Sequence, residues 1–206
     1  MNKLKTCGLM FSLFLLAVGM GPVFAKDSSI FLAKAELNRK EIQQLKSLGI
    51  KVFVPTYIPA GFRVAKMEIK PCPSGTERSA TGVCRFGPQY GIVYQNSNNT
   101  CFAIEATGGG VGGVPELVNQ VKLNMGELGE STLYYGQYEM PEMRRNSSAS
   151  LLYMDWAGRG PFYRLVGAGL VRQAYYGERQ NQRVSECRNE ISPEEAVKII
   201  ESFSSL

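Results

Sequence analysis

The chain has 206 residues, with 23 lysines and arginines against 18 aspartates and glutamates and a formal net charge of +5. This balance is too small, and too interspersed with acids, to indicate nucleic-acid binding, which usually shows as a concentrated basic stripe. The chain contains no histidine, which excludes Ser-His-Asp and Cys-His nucleophile pairs and histidine-ligated zinc. An enzyme of this composition would need a carboxylate pair, a serine–lysine pair or electrostatic stabilisation.

The first 25 residues predict a secretory signal peptide. Lys3 and Lys5 precede an apolar run from Leu9 to Val18, and Val23-Phe24-Ala25 provides a small-x-small cleavage site. The run is shorter than the roughly 20 apolar residues that span a bilayer. We therefore expect cleavage near Ala25, no transmembrane segment, and a single mature domain (26–206) that is periplasmic or secreted.

Two short helices are predicted at the ends of the mature chain. Asn38 and Glu41 form a capping box before apolar residues at helical spacing. Ser192, Pro193 and Glu195 mark the start of a C-terminal helix.

Between the two helices the patterns predict about seven or eight strands. The expected strands are Ile50–Val54, Ala65–Ile69, Tyr90–Gln95, Thr100–Glu105, Val118–Met125, Thr132–Tyr138, Leu151–Trp156 and Phe162–Val166, with Leu170–Tyr176 as a further candidate. The segment Met140–Ser150 is expected to be an exposed loop. Since strands and helices do not alternate, the predicted fold class is α+β with an antiparallel sheet.

Four cysteines remain after the predicted cleavage: Cys72, Cys84, Cys101 and Cys187. An even number in an exported chain predicts two disulfides, for which three pairings are possible. A Cys72–Cys84 bond is favoured because the Pro/Gly/Ser-rich loop 71–88 holds both residues, and Cys101–Cys187 follows by elimination. Zinc binding by these thiolates is disfavoured because the sequence has no C-x-x-C pair; no metal or cofactor is predicted.

Two features could carry chemistry. Glu105 and Asp155 lie in apolar strands, where a carboxyl group can act as a glycosidase-type general acid, although a salt-bridged acid is the commoner outcome. The glycine run Gly108–Gly113 formally satisfies G-x-G-x-x-G, but five glycines in six positions meet that pattern almost automatically. We expect a flexible or tightly turning loop there, which could still contact a ligand.

Tyrosines and arginines in the second half of the chain are the candidate partner-binding residues. The predicted contact face is formed by the segments 134–145 and 172–183, and its named members are Tyr135, Arg144, Arg145, Arg172 and Tyr176. Exposed tyrosine rings can stack on sugars or peptides, although packing across strands is the commoner role of such rings.

Several short motifs resemble an uncharacterised extracytoplasmic domain. That domain is found at the C-termini of some bacterial anti-sigma and sporulation regulators and alone in exported proteins. The matching segments are Tyr57–Phe62, Tyr94–Asn96, Leu152–Trp156 and Ser192–Phe203. The cysteines, the loop 71–88 and the glycine run depart from its pattern. The resemblance implies a non-catalytic sensing or interaction module and supplies no catalytic residues.

Together these observations predict an exported, non-catalytic binding domain of the bacterial cell envelope. Its partner would be an envelope protein, a peptide or a glycan, and not a nucleic acid. The alternative is a small carboxylate-dependent hydrolase of cell-envelope polymers, which would need two carboxyl groups facing each other across a cleft.

Overall fold

The computed structural model describes residues 35–113, 116–146, 151–179 and 184–206. The predicted signal peptide lies outside these ranges. The helices of the described residues are α1 (Arg39–Lys46), α2 (Pro141–Asn146), α3 (Ala168–Tyr176) and α4 (Pro193–Glu201). The strands are β1 (Phe53–Pro55), β2 (Arg63–Lys70), β3 (Gln89–Gln95), β4 (Thr100–Thr107), β5 (Leu117–Asn124), β6 (Glu130–Tyr138), β7 (Leu151–Met154), β8 (Phe162–Gly167), β9 (Asn189–Glu190) and β10 (Phe203–Ser205).

The predicted α+β class is confirmed by an eight-stranded sheet. Seven of its strands follow the order β2-β3-β4-β8-β7-β6-β5, and every neighbouring pair in that order is antiparallel. The short β9 pairs in parallel with the start of β4, and β1 and β10 form a separate two-stranded sheet. Strands β3 and β4 form one antiparallel hairpin, and β7 and β8 form another.

One face of the sheet is covered by α1, α4 and the small β1–β10 sheet. Alternate residues of the central strands, such as Ile92 and Ile104, point to this face and share a core with Leu45 of α1 and Ile199 of α4, all fully buried. Burying each such side chain contributes about 1.5–3 kcal/mol. Both helices begin as predicted: the Asn38 side chain accepts the Glu41 N–H and the Ser192 hydroxyl accepts the Glu195 N–H.

The opposite face is covered by α3, where the prediction of a strand over Leu170–Tyr176 was wrong. Valine and tyrosine favour strands, but Ala168 and Val171 lie one helical turn apart and pack on Val93 and Val166 of the sheet. The start of the helix is capped from a distant segment, since the Glu190 carboxylate accepts the Ala168 N–H. Its end is set by Gly177, which has a left-handed φ of 71°.

A second correction concerns the segment Met140–Ser150, predicted as an exposed loop. Residues Pro141–Asn146 form α2, which begins with proline at its first position, as short helices often do. Residues 147–150 lie outside the described part of the chain.

The predicted disulfides are confirmed. The Cys72 and Cys84 Cα atoms are 6.1 Å apart, and those of Cys101 and Cys187 are 5.3 Å apart. The first bond closes a loop beside the edge of the sheet, and the second joins β4 to the segment before β9. In the described residues, no helix has the length and apolar character needed to cross a membrane.

Candidate functional site

A cleft of about 290 Å³ opens on the α3-covered face, near the end of the sheet where β3 begins and β4 ends. Its walls come from β2, β3, β4, β8, the C-terminal turn of α3 and the glycine run that follows β4. The side chains that give it chemical character are Glu68, Lys70, Glu105, Trp156, Arg164 and Tyr175. The cleft therefore combines charged groups with a single indole ring.

The base of the cleft is an ion pair between Glu105 and Arg164. The two residues lie opposite each other on β4 and β8, and this cross-strand register brings their side chains together. Arg164 Nε lies 2.6 Å from Glu105 Oε2, and the side chains are only 21% and 12% exposed. The Tyr175 hydroxyl donates to the other oxygen, Glu105 Oε1, at 2.8 Å. Both carboxylate oxygens thus have protein donors.

Tyr175 reaches Glu105 because the strand beneath it has a glycine. A Cβ atom built on Gly91 would lie 1.9 Å from the Tyr175 hydroxyl oxygen, so any larger residue would push the ring away. Burial raises the pKa of Tyr175 far above its ordinary value, and the Glu105 charge raises it further. Tyr175 is therefore a neutral hydrogen-bond donor at all physiological pH values.

Arg164 also stacks on Trp156. The guanidinium carbon lies 4.2 Å from the centre of the indole ring, within the range of a cation–π contact. Within the described residues, the Nε atom donates to Glu105, whereas the two Nη atoms have no hydrogen-bond partner. The arginine is held rigidly while part of its donor set remains available to a ligand.

The glycine run forms one wall of the cleft, and it packs on the segment 85–88, which follows Cys84. The Gly108 N–H donates to Pro88 O at 3.0 Å, and a Cβ on Gly108 would lie 1.7 Å from Gly87 O. Only glycine permits this close backbone approach. Phe86, which is 61% exposed, lies against Gly110 at the rim. The first part of the predicted glycine loop is thus tightly packed on the segment that follows the Cys72–Cys84 bond.

The charges at the rim are not fully compensated. Glu68 pairs with Lys66 at 2.9 Å, and Lys66 also donates to Tyr175 O at 2.6 Å. Lys70 is exposed and has no ion-pair or hydrogen-bond partner in the part of the chain that the structure describes. The four charged residues of the lining, Glu68, Lys70, Glu105 and Arg164, cancel, and Lys66 beside the cleft brings the group of five charged side chains to a net charge of +1.

Comparison with protein-family models, with curated proteins and with solved structures finds no match to this chain. The resemblance to the extracytoplasmic domain of anti-sigma regulators therefore stays a prediction, and the cleft has to be interpreted from its own chemistry.

The structure does not bring the predicted contact residues onto one surface. Tyr135 packs against the core on the α1/α4 face, whereas Tyr176 packs on the opposite, α3-covered face. Arg172 donates to Glu178 and to Cys187 O, so it holds the segment before β9. Arg144 and Arg145 lie in α2, and their side chains fall outside the described part of the structure.

Of the two carboxylates considered from the sequence, Glu105 lies in the cleft and Asp155 does not. The Asp155 carboxylate accepts the N–H of Trp156 at 2.8 Å and so shapes the turn that presents the indole. Trp156 and Arg164 were missed as site residues. A signal was present, because an arginine in the middle of the apolar strand Phe162–Val166 needs a buried partner.

Proposed function

We propose that this chain is an exported, non-catalytic binding domain of the bacterial cell envelope. In this proposal the signal peptide is removed near Ala25, the mature domain is periplasmic or secreted, and the ligand occupies the cleft over Glu105 and Arg164. The observation that carries the proposal is the contact of Arg164 with Trp156 at the cleft, where the Nη donors of the arginine have no partner among the residues that the structure describes. A positioned aromatic ring beside oriented donors is typical of a recognition site.

The two disulfides support export, because such bonds persist in oxidising compartments and are rare in the cytosol. The resemblance to an extracytoplasmic module also implies an exported protein. The acids in the cleft disfavour nucleic acid, so the partner is an envelope protein, a peptide or a glycan.

Binding is favoured over catalysis by the state of Glu105. Its two oxygens accept hydrogen bonds from Arg164 and Tyr175, so the carboxylate already serves as the acceptor that holds these two side chains in place. Glu105 is thus a salt-bridged acid with Arg164 at 2.6 Å, and not the isolated carboxyl group in an apolar pocket that is typical of a general acid.

One observation favours a second function, the carboxylate-dependent hydrolase. Glu68 and Glu105 both line the cleft, and glycoside hydrolases place two carboxyl groups about 5–9.5 Å apart across the scissile bond. In this protein Glu68 is ion-paired with Lys66, as Glu105 is with Arg164. The two functions are separated by asking whether the ligand is retained or cleaved.

The test is co-sedimentation of the purified mature protein with isolated cell-envelope material, with soluble reducing ends measured in the same tubes. We expect the wild type to sediment and to release no products. Trp156→Ala should stay in the supernatant, while Val118→Ala, an exposed site on the edge strand β5, should sediment like the wild type. Trp156→Phe, which keeps an aromatic ring, controls for folding.

Equal sedimentation of wild type and Trp156→Ala would show that the cleft is not the binding site. Product release that Glu105→Gln abolishes would establish the hydrolase instead.

A further inference from the structure

We propose that the cleft binds an acidic sugar, a pyranose ring carrying a carboxylate, with the carboxylate held between the Arg164 guanidinium and the Lys70 ammonium group. This inference rests on the proposed function and names its ligand class.

The first step is the geometry of Arg164. Its Nε donates to Glu105 and its guanidinium carbon lies 4.2 Å from the centre of the Trp156 ring, so two contacts hold the group in place. The Nη atoms have no partner in the described part of the chain. Paired N–H groups on a planar guanidinium match the two oxygens of a carboxylate, and such bidentate bonds are among the strongest in proteins.

The second step is charge. Glu105 offsets Arg164, and Glu68 is paired with Lys66, which lies beside the cleft and not in its lining, so the five charged groups together carry one net positive charge. Lys70 is the remaining lining cation, exposed and without a partner in the described residues. One excess positive charge suits a ligand with one negative charge, because the ammonium group also offsets the repulsion that Glu105 would exert on a second carboxylate.

The third step separates a sugar from a peptide. Apart from the Trp156 and Tyr175 rings, the apolar residues of the lining are Ala106, Ala174 and the almost fully buried Tyr90, so no aliphatic side chain larger than alanine is available to a peptide side chain. The lining also includes Gln89, whose amide nitrogen donates to Phe86 O; its amide oxygen has no partner in the described residues and can accept a ligand hydroxyl group. The half-buried indole of Trp156 offers an aromatic surface to the C–H groups of a pyranose ring.

The size of the cleft agrees with a small ligand. At about 290 Å³ it lies at the lower end of the range for small-molecule sites, so it suits one or two sugar rings and not a long segment of polymer. A carboxylate-bearing ring could be a free sugar acid or the terminal unit of an envelope glycan, and the experiment includes both sources.

The experiment uses Trp156 as its own probe, because it is the single tryptophan of the chain. Selectively excited tryptophan emission is recorded during titration with glucuronate, N-acetylmuramate and short galacturonate oligomers. The matched neutral ligands are the methyl esters of the same compounds, together with N-acetylglucosamine. We expect saturable changes with the acids and at least about tenfold weaker binding of the esters, since the charge-assisted hydrogen bonds are lost.

Three variants assign the effect to the two cations. Lys70→Gln, at an exposed position, should weaken binding of the acids about three- to tenfold without changing the melting temperature. Arg164→Lys keeps the charge but loses the planar donor pair, and should weaken binding by about tenfold or more. Lys40→Gln, at an exposed position of α1, is the matched control and should bind like the wild type.

Each other outcome overturns a defined statement. If esters bind as tightly as acids, or if no acid perturbs Trp156, the carboxylate inference is wrong, while co-sedimentation through Trp156 would still support a binding domain. If peptides with a free C-terminal carboxylate bind and sugar acids do not, the sugar class is wrong. If envelope material also fails to retain the protein, the proposed function fails as well.

Discussion

Glu190 is the carboxyl group whose titration is changed most by its surroundings. Burial raises its pKa to about 7, although the Ala168 N–H and the Arg172 charge both favour the ionised form. One oxygen accepts the Ala168 N–H at 2.7 Å, while Oε2 is buried without a hydrogen-bond partner in the described structure. A carboxylate left with an unsatisfied buried oxygen is costly, and protonation reduces that cost.

This residue makes stability depend on pH. The folded-state pKa of about 7 lies above the ordinary value of 4.5, which applies to the unfolded chain. Between these two pH values the folded state therefore holds a proton that the unfolded state has lost. The free energy of unfolding should therefore fall as the pH rises from about 4.5 to 7, by roughly 3 kcal/mol at most. Urea unfolding at a series of pH values measures this slope.

A substitution assigns the slope to Glu190. Glu190→Gln should flatten it, whereas Glu201→Gln, at an exposed position on α4, should leave it unchanged. Hydrogen bonds from Lys198 and Ser185 lower the pKa values of Glu195 and Glu186, respectively, so those groups lose their stabilisation only at more acidic pH. An identical slope in Glu190→Gln and the wild type would contradict the assignment.

Gly91 controls the position of Tyr175 over the cleft. Gly91→Ala should displace the tyrosine ring from Glu105, because the new Cβ would lie 1.9 Å from its hydroxyl oxygen. We expect a loss of about 1–3 kcal/mol in unfolding free energy, typical of overpacking, measured by chemical denaturation. Tyr175→Phe removes the same hydrogen bond without a clash. If Gly91→Ala costs no more than Tyr175→Phe, the close approach is not the constraint we infer.

At the scale of elements, the glycine run forms one wall of the cleft and is supported by the segment that follows the Cys72–Cys84 bond. Cys72→Ser/Cys84→Ser should lower the free energy of unfolding by roughly 3 kcal/mol on the chain-entropy account. It should also weaken ligand binding in the cleft, because Phe86 and Gly110 would no longer be held in place. Denaturation and the Trp156 titration measure the two effects. Binding that is unchanged in the double variant would show that this wall does not contribute to the site.

The elements that the sequence predicted correctly are those with local signals. The helix caps at Asn38 and Ser192 and the alternating strands can be recognised from a few neighbouring positions, because their hydrogen bonds and burial patterns are local. Helix α3 was not predicted because the residue that caps its start is distant in the sequence: Glu190 is 22 positions from Ala168. Strand-favouring valine and tyrosine outweighed the helical spacing until tertiary contacts were known.

At the scale of the whole molecule, the site was the least predictable feature. Glu105 and Arg164 are 59 positions apart and Glu105 and Tyr175 are 70 apart, so only the strand order β4–β8 and the placement of α3 bring them together. The two disulfides, by contrast, followed from the cysteine count and one short loop. The fold class could be predicted from composition and spacing, whereas the cleft depends on the pairing of distant strands.

The most direct test of the account is photo-crosslinking in living cells. A photoreactive amino acid is placed at Phe86, on the rim of the cleft, or at Val118, on the edge strand β5; the native side chains are 61% and 50% exposed. We predict that a mature protein lacking residues 1–25 is captured through position 86 to an envelope component carrying acidic sugar, and that position 118 captures much less. Capture of cytoplasmic proteins, or equal capture from both positions, would contradict the account.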